Sequence, residues 1–227
     1  MFTITTSKEA LQTSSGSSYI SKSGIYDCTI KFASVDVSSG GAKSVNFNID
    51  YNGNSQTIYG PYIYDKQEQP LEIGLKLINS VAILAGMRGG KPTMEVETHN
   101  VGKDNKPQDF NVITEFSDLP IKVRLQEEYA INPNTKEIRK SLVPKAFFSA
   151  EGASAAEIIA QESGEAVTIG KDLEKQQKYA DNITYRDGLD AEQVQAWKDS
   201  KASGNSAAKP AAPKATVVNK TAGSLFK

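Results

Sequence analysis

The most constraining feature of the sequence is an alternating segment that runs directly into a turn dipeptide. Four apolar residues alternate there with polar ones: Val45, Phe47, Ile49 and Tyr51. A period of two is typical of a strand that buries one face, so we predict that Tyr51 lies in the core. Asn52-Gly53 follows at once and is the strongest short hairpin signal. The run from Gln56 to Tyr64 should therefore pair antiparallel with this strand.

A second alternating segment begins at Gly24 and predicts the first strand of the fold. Its apolar members are Tyr26, Cys28, Ile30 and Phe32. The apolar phase then slips to Val35 and Val37, which predicts a bulge or a bend in this strand. Because Cys28 falls on the apolar face, we expect a core thiol rather than a nucleophile.

The remaining elements complete an order of three strands, one helix and two further strands. A helical period over residues 71–85, with Pro70 before it and Gly86 or Gly89-Gly90 after it, predicts an amphipathic helix. Short strands are predicted near 94–98 and 111–116, and longer ones over 121–131 and 136–148. We predict a mainly β protein with some α structure, built as an OB-fold-like five-stranded barrel with one inserted helix.

Charge divides the chain into three regions. Residues 1–150 hold 16 basic and 16 acidic side chains, residues 151–199 hold 5 basic and 11 acidic ones, and residues 200–227 hold 5 basic and no acidic ones. This pattern predicts a flexible leader over 1–23, an OB-like domain over 24–150, an acidic helical connector over 151–199 and a disordered basic tail over 200–227. Ser154 is expected to cap the first connector helix, with Glu157 in its first turn.

Several classes of function are disfavoured by what the sequence lacks. It has no run of 18 apolar residues, so we expect no membrane span, and its first residues do not have the pattern of a signal peptide. Cys28 is the only cysteine, which excludes an internal disulfide and a cysteine-based zinc site. His99 is the only histidine and is expected at the surface. We therefore expect a cytoplasmic protein that is not an enzyme and has no cofactor or metal.

Aromatic and basic residues form the candidate site. Tyr59, Tyr62 and Tyr64 crowd around Pro61, and we expect at least one or two of them to be exposed as stacking faces for bases. The polar faces of the strands carry six basic residues that could follow phosphates along one groove: Lys31, Lys122, Arg124, Arg139, Lys140 and Lys145. The same residues also fit a barrel rim filled by tyrosines and a solvated charged face, so the sequence leaves both interpretations open.

Three segments of the chain resemble those of a known family. They are the opening strand Gly24–Ile30, the run Ile121–Tyr129 before a turn and a last strand, and the exit Phe147–Ile158, which has an aromatic pair, a short turn, small residues and a helix. These segments resemble the single-stranded-DNA-binding proteins of podophages, over about residues 20–160. The resemblance implies an OB fold, binding of single-stranded DNA without sequence preference, and a place in the host cell cytoplasm in DNA replication, recombination, repair and transcription.

The C-terminal tail departs from the pattern of that family. Single-stranded-DNA-binding proteins usually end in an acidic tail with an apolar tip, whereas this tail is basic and ends in Leu225, Phe226 and Lys227. A basic tail would not compete with DNA for a cationic groove. We expect the tip to bind an acidic, apolar pocket of a phage or host protein of replication, recombination or transcription, such as a polymerase. A flexible linker of this kind gives such a tip a reach that grows with the square root of its length.

Two other classes of function stay open at this point. A structural protein of a virion would use strand edges and the apolar tip in assembly, and would form a stable oligomer without affinity for oligonucleotides. A metal-dependent nuclease would gather at least three of the scattered carboxylates around Mg²⁺ and would cut bound DNA.

Overall fold

A computed structural model of the protein describes residues 19–102 and 106–203. The strands are β1 (Gly24–Val37), β2 (Lys43–Tyr51), β3 (Asn54–Ile58), β4 (Tyr62–Tyr64), β5 (Met94–Val101), β6 (Lys106–Ile113), β7 (Leu119–Ile131), β8 (Ile138–Ser149) and β9 (Ile183–Tyr185). The helices are α1 (Glu72–Leu84), α2 (Ala155–Glu162), α3 (Lys171–Gln177) and α4 (Ala191–Ala202), with a 3-10 helix at Thr114–Phe116. The predicted class, mainly β with helices, is confirmed.

The strands form one open antiparallel sheet. Its main path runs β3-β2-β1-β6-β5, while β4 pairs with β2, and β7 pairs with β1, β8 and β9. The predicted closed five-stranded barrel is not found, because β3 pairs only with β2 within residues 19–102 and 106–203. Gly60 and Pro61 follow β3 closely, and a proline has no N–H group with which to extend a ladder.

Strand β1 pairs with other strands along both of its edges. Along one edge it pairs with β2, from Thr29↔Asp50 to Val37↔Lys43. Along the other edge its first half pairs with β7, and its second half meets β6 at Ser34↔Val112. One long strand therefore pairs with three neighbours.

The local predictions from turn and helix signals are confirmed. Asn52 and Gly53 have φ angles of 52° and 77°, as a type I′ hairpin requires, and β2 pairs with β3 on either side of them. Helix α1 begins after Leu71 and ends before Gly86, whose φ of 85° suits glycine. Its Gly74 packs directly on β4, since a Cβ there would lie 1.9 Å from the Tyr62 carbonyl oxygen. No helix in the described ranges is long and apolar enough to cross a membrane.

The chain divides into two compact units. Among the described residues, the first consists of 19–102, 106–128 and 141–184, and the second of 129–140 and 185–203. The fully buried side chains of the first unit include Ile30, Phe47, Ile49, Val81 and Leu125. Tyr51, predicted in the core, is half-buried and packs against it. Ile20, inside the predicted leader, is also part of this core. The domain limits suggested by charge stay a prediction.

The second unit has a small core of its own. Tyr129, Ile138, Leu189 and Val194 are buried in it, with Trp197 packed alongside. Helix α4 begins with a capping box in which Asp190 and Gln193 satisfy each other's backbone N–H groups. The tail residues 204–227 lie outside the described residues.

Candidate nucleic-acid interface

A β-bulge in β1 turns an aromatic side chain away from the core. Ile30 pairs with Ile49 and Phe32 pairs with Asn48, so Lys31 is left over between them. Since side chains alternate along a strand, the extra residue reverses the phase. Ile30 and Ala33 face the core, whereas Phe32 faces the opposite side of the sheet. The sequence predicts a bulge in β1, but the alternation placed Phe32 with Ile30, and this assignment is wrong.

Phe32 is covered by two rings from the β5–β6 hairpin. The imidazole of His99 stacks on it with 3.9 Å between ring centroids and 7° between planes, and Phe110 lies 5.1 Å away at 53°. Phe32 is consequently only 5% exposed although it does not belong to the main core. His99 Nε2 lies 2.8 Å from a carboxylate oxygen of Glu97. The single histidine therefore covers an aromatic ring instead of lying free on the surface.

Beside this aromatic cluster, β1, β2, β3 and the β5–β6 hairpin enclose a cleft of about 270 Å³. Phe32, Phe110 and Tyr59 supply its aromatic walls. Its floor is polar and buried, and consists of Ser34, Asn46 and Asn48. Asp36, Thr57 and Gln108 line the opening. Aromatic faces next to amide and hydroxyl groups can stack a planar ring and bond its edge.

The polar floor of the cleft is fixed by its own hydrogen bonds. Asn46 Nδ2 donates to Asp36 Oδ2, and Asn46 Oδ1 accepts from the Gly60 N–H at 3.1 Å. Asn48 Oδ1 accepts from the Ser55 hydroxyl at 2.7 Å. Gly60 must be a glycine here, because a Cβ would lie 1.7 Å from the Val45 carbonyl oxygen. The chain that carries Tyr59 is therefore held tightly against β2.

The three predicted tyrosines occupy different places. Tyr59 lines the cleft and is 72% exposed, so its ring is free to stack. Tyr62 is 52% exposed but lies on β4, outside the cleft. Tyr64 is half-buried, with Lys43 Nζ 5.8 Å from its ring centroid. The expectation that at least one or two of these tyrosines are exposed is confirmed.

Two of the predicted phosphate contacts are engaged with carboxylates. Lys31 Nζ lies 2.5 Å from Asp118 Oδ1, and this hydrogen bond raises the pKa of Lys31. Lys122 Nζ forms an ion pair with Asp27. Exposed ion pairs of this kind contribute little to stability, so a phosphate can replace the carboxylate at small cost.

Arg124 does not lie on an exposed polar face, contrary to the prediction from alternation. It is 8% exposed, and its Nη1 donates to the Tyr179 carbonyl oxygen at 3.1 Å and to Gln126 Oε1 at 3.2 Å. Burial lowers the pKa of this guanidinium. Gln126 in turn donates to the Thr184 hydroxyl. The chain around 179–184 covers this side of β7, which the alternation within β7 could not reveal.

The other predicted contacts are distributed over both units. Lys145 is half-buried on the part of β8 that belongs to the first unit. Arg139 and Lys140 are exposed on the part of β8 that belongs to the second unit. Leu225, Phe226 and Lys227 lie outside the described residues. Of the predicted residues that the structure describes, only Tyr59 lines the cleft.

The described residues offer neither an accessible thiol nor a cluster of metal ligands. Cys28 is buried, and burial together with Asp27 and Asp50 raises the pKa of its thiol to about 12, as befits a core cysteine. Within the described residues, no group of three histidine, cysteine or acidic side chains could hold a metal ion.

Comparisons with protein-family models, with curated proteins and with solved structures found no match. The candidate site therefore rests on its own geometry. Sequence reasoning missed Phe32, His99 and Phe110 as members of this site. One sequence signal could have found Phe32. The apolar residues of β1 have even numbers up to Ile30 and odd numbers from Val35, so a residue between them must change face.

Proposed function

We propose that this chain is a single-stranded-DNA-binding protein of the phage type, acting in the host cytoplasm and coating DNA largely without regard to sequence. The observation that carries the proposal is the exposed ring of Tyr59 at the mouth of a cleft walled by Phe32 and Phe110. A base stacked on such a ring contributes roughly 1–3 kcal/mol, and every base has a face that can stack.

The OB-like character of the fold belongs to the same proposal. An OB fold has a long, bent first strand that pairs along both edges, and β1 has this property here. The cleft lies on the β1–β2–β3 face, which is the side on which OB folds bind oligonucleotides. The open sheet would then be a variant of the OB fold in which β3 does not pair with a later strand to close the barrel.

Phosphate contacts are proposed for five of the predicted cations. Lys31 and Lys122 would exchange Asp118 and Asp27 for phosphates, and Arg139, Lys140 and Lys145 would add further contacts. Arg124 is left out because it is buried. Five neutralised phosphates predict that log K falls with log salt at a slope of about −3.5. The tail, through Leu225, Phe226 and Lys227, would recruit proteins of replication, recombination or transcription.

The test is a titration of the protein with fluorescently labelled oligo-dT at two salt concentrations, with and without Mg²⁺. We expect binding that weakens with salt, and intact DNA in the presence of Mg²⁺. Tyr59→Ala should weaken binding by roughly fivefold or more. Tyr62→Ala is the matched control, because it removes an exposed ring that lies outside the cleft. Absence of binding at low salt, or equal losses in both variants, would reject the cleft as the DNA site.

A role in virion assembly is the second candidate, and one observation favours it. Strand β5 lies at the end of the sheet path, and its Met94 and Val96 are exposed. Exposed apolar side chains on an edge strand favour pairing with another chain. This function predicts a stable oligomer in sedimentation experiments, together with no affinity for oligonucleotides.

A further inference from the structure

The cleft contains a carboxylate at the place where a DNA-binding protein would be expected to have a cation. Asp36 is the only charged residue among the described residues that line it. A carboxylate repels phosphates, so the sugar-phosphate chain should avoid this position. The group that enters here must instead bring hydrogen-bond donors, because an ionised carboxylate can only accept hydrogen bonds.

Asp36 is held in place by buried neighbours although it is itself exposed. Asn46, which is buried, donates to Asp36 Oδ2, and the buried hydroxyl of Ser34 lies 3.5 Å from Asp36 Oδ1. Each carboxylate oxygen has two lone pairs, so each keeps capacity for a further donor. The carboxylate is therefore fixed and still able to accept hydrogen bonds from a ligand.

The same amide connects Asp36 to the stacking ring. Asn46 Oδ1 accepts from the N–H of Gly60, the residue directly after Tyr59, while its Nδ2 donates to Asp36. The positions of the ring-bearing chain and the carboxylate are thus set by one buried side chain. A base that stacks at Tyr59 can present its hydrogen-bonding edge to a preorganised acceptor pair.

The four bases differ in what they offer to such an acceptor. Guanine has two donors side by side, the ring N1–H and the 2-amino group. Adenine and cytosine have one amino group beside a ring acceptor, and thymine has one N–H between two carbonyl oxygens. Only guanine can bind a carboxylate through two parallel hydrogen bonds, and exposed base edges of this kind are what proteins read in single strands.

We infer that Asp36 makes the cleft selective for guanine at one nucleotide position, within binding that is otherwise indifferent to sequence. This inference rests on the proposed function and adds a specificity-determining residue to it.

The test compares labelled oligo-dT that has a single central dT, dG, dA or inosine. The oligonucleotide with dG should bind about fivefold or more tightly than oligo-dT, and inosine, which lacks the 2-amino group, should lie between them. Asp36→Asn should abolish the difference, so that the oligonucleotides with dG and dT bind alike. Asp27→Asn, on the same strand but outside the cleft, should change all affinities alike and preserve the preference.

The outcomes separate the two hypotheses. Equal binding of all four oligonucleotides, or a guanine preference that persists in Asp36→Asn, overturns the inference and leaves the proposed function intact. Failure of the protein to bind any of them overturns the proposed function. Because Asp36 is exposed, we expect the Asp36→Asn variant to fold. Urea unfolding of the variant checks this.

Discussion

The imidazole of His99 lies parallel to the phenyl ring of Phe32, with 3.9 Å between their centroids. These rings come from β5 and β1, which are not neighbours, since β6 lies between them. The β6 residue Phe110 completes the cluster at 5.1 Å from Phe32. The stack therefore links the outer strand of the β5–β6 hairpin to the centre of the sheet, where the β1–β6 ladder has only the pair Ser34↔Val112.

Removing the imidazole should loosen the hairpin. His99→Ala is expected to lower the free energy of unfolding by about 1 kcal/mol, the usual contribution of an aromatic pair. Amide hydrogen exchange should accelerate in β5 and β6 more than in β2 and β3. Thr98→Ala, which removes a β5 hydroxyl that donates to Asp109 of β6, is the comparison for the loss of a cross-strand hydrogen bond without the loss of a ring. Unchanged exchange in β5 of His99→Ala would show that the stack does not hold the hairpin.

Releasing Lys31 should strengthen DNA binding. Asp118→Asn removes the carboxylate that neutralises Lys31, and asparagine tolerates the φ of 52° at this position. We expect tighter binding of oligo-dT at low salt, because Lys31 no longer has to give up a carboxylate when it contacts a phosphate. Glu72→Gln removes an exposed carboxylate paired with Lys76 on α1 and should leave the affinity unchanged. An unaltered affinity in Asp118→Asn would exclude Lys31 as a phosphate contact.

Reversing the charge of Arg124 should damage stability before it affects binding. Arg124→Glu places an anion in a buried position and leaves the Tyr179 carbonyl oxygen without its donor. We expect the free energy of unfolding in urea to fall by about 3–5 kcal/mol. Arg139→Glu, at an exposed position, should change it by less than about 0.5 kcal/mol. An Arg124→Glu protein of normal stability that has lost DNA affinity would instead indicate a direct contact.

The buried thiol of Cys28 should make stability fall in alkaline solution. Burial, then Asp27 and Asp50, raises its pKa from 9.0 to about 12. Above pH 9 the unfolded chain releases this proton and the native protein keeps it, so the native state loses about 1.4 kcal/mol per pH unit up to pH 12. Cys28→Ala should show a shallower decline between pH 9 and 10.5. Identical slopes, or a native thiol that reacts rapidly with a disulfide reagent at pH 8, would contradict this.

Features set by neighbouring residues could be predicted from the sequence. The Asn52-Gly53 turn, helix α1 and the Ser154–Glu157 capping box all depend on groups within a few positions of one another. In each case the hydrogen-bonding partner or the special backbone angle belongs to the same short segment. Local signals therefore suffice for such elements.

Features set by distant segments could not be predicted. Arg124 and Gln126 alternate with apolar residues like an exposed face, but Tyr179 and Thr184, more than 50 positions later, cover them. The sequence pattern places Phe32 on the core face of its strand. In the structure Phe32 is on the other face and is covered by His99 and Phe110. The candidate site combines such distant contributions, so only Tyr59 was identified in advance.

The surplus residue at Lys31 gives β1 one point at which it could lose a residue and keep both of its faces. Ile30↔Ile49 and Phe32↔Asn48 are already consecutive pairs of the ladder with β2, so Ile30 faces the interior and Phe32 the cleft. Deleting Lys31 would leave a regular ladder in the same register, whereas deleting a residue elsewhere in β1 would move later side chains to the wrong face. The length of β1 is therefore constrained everywhere except at the bulge.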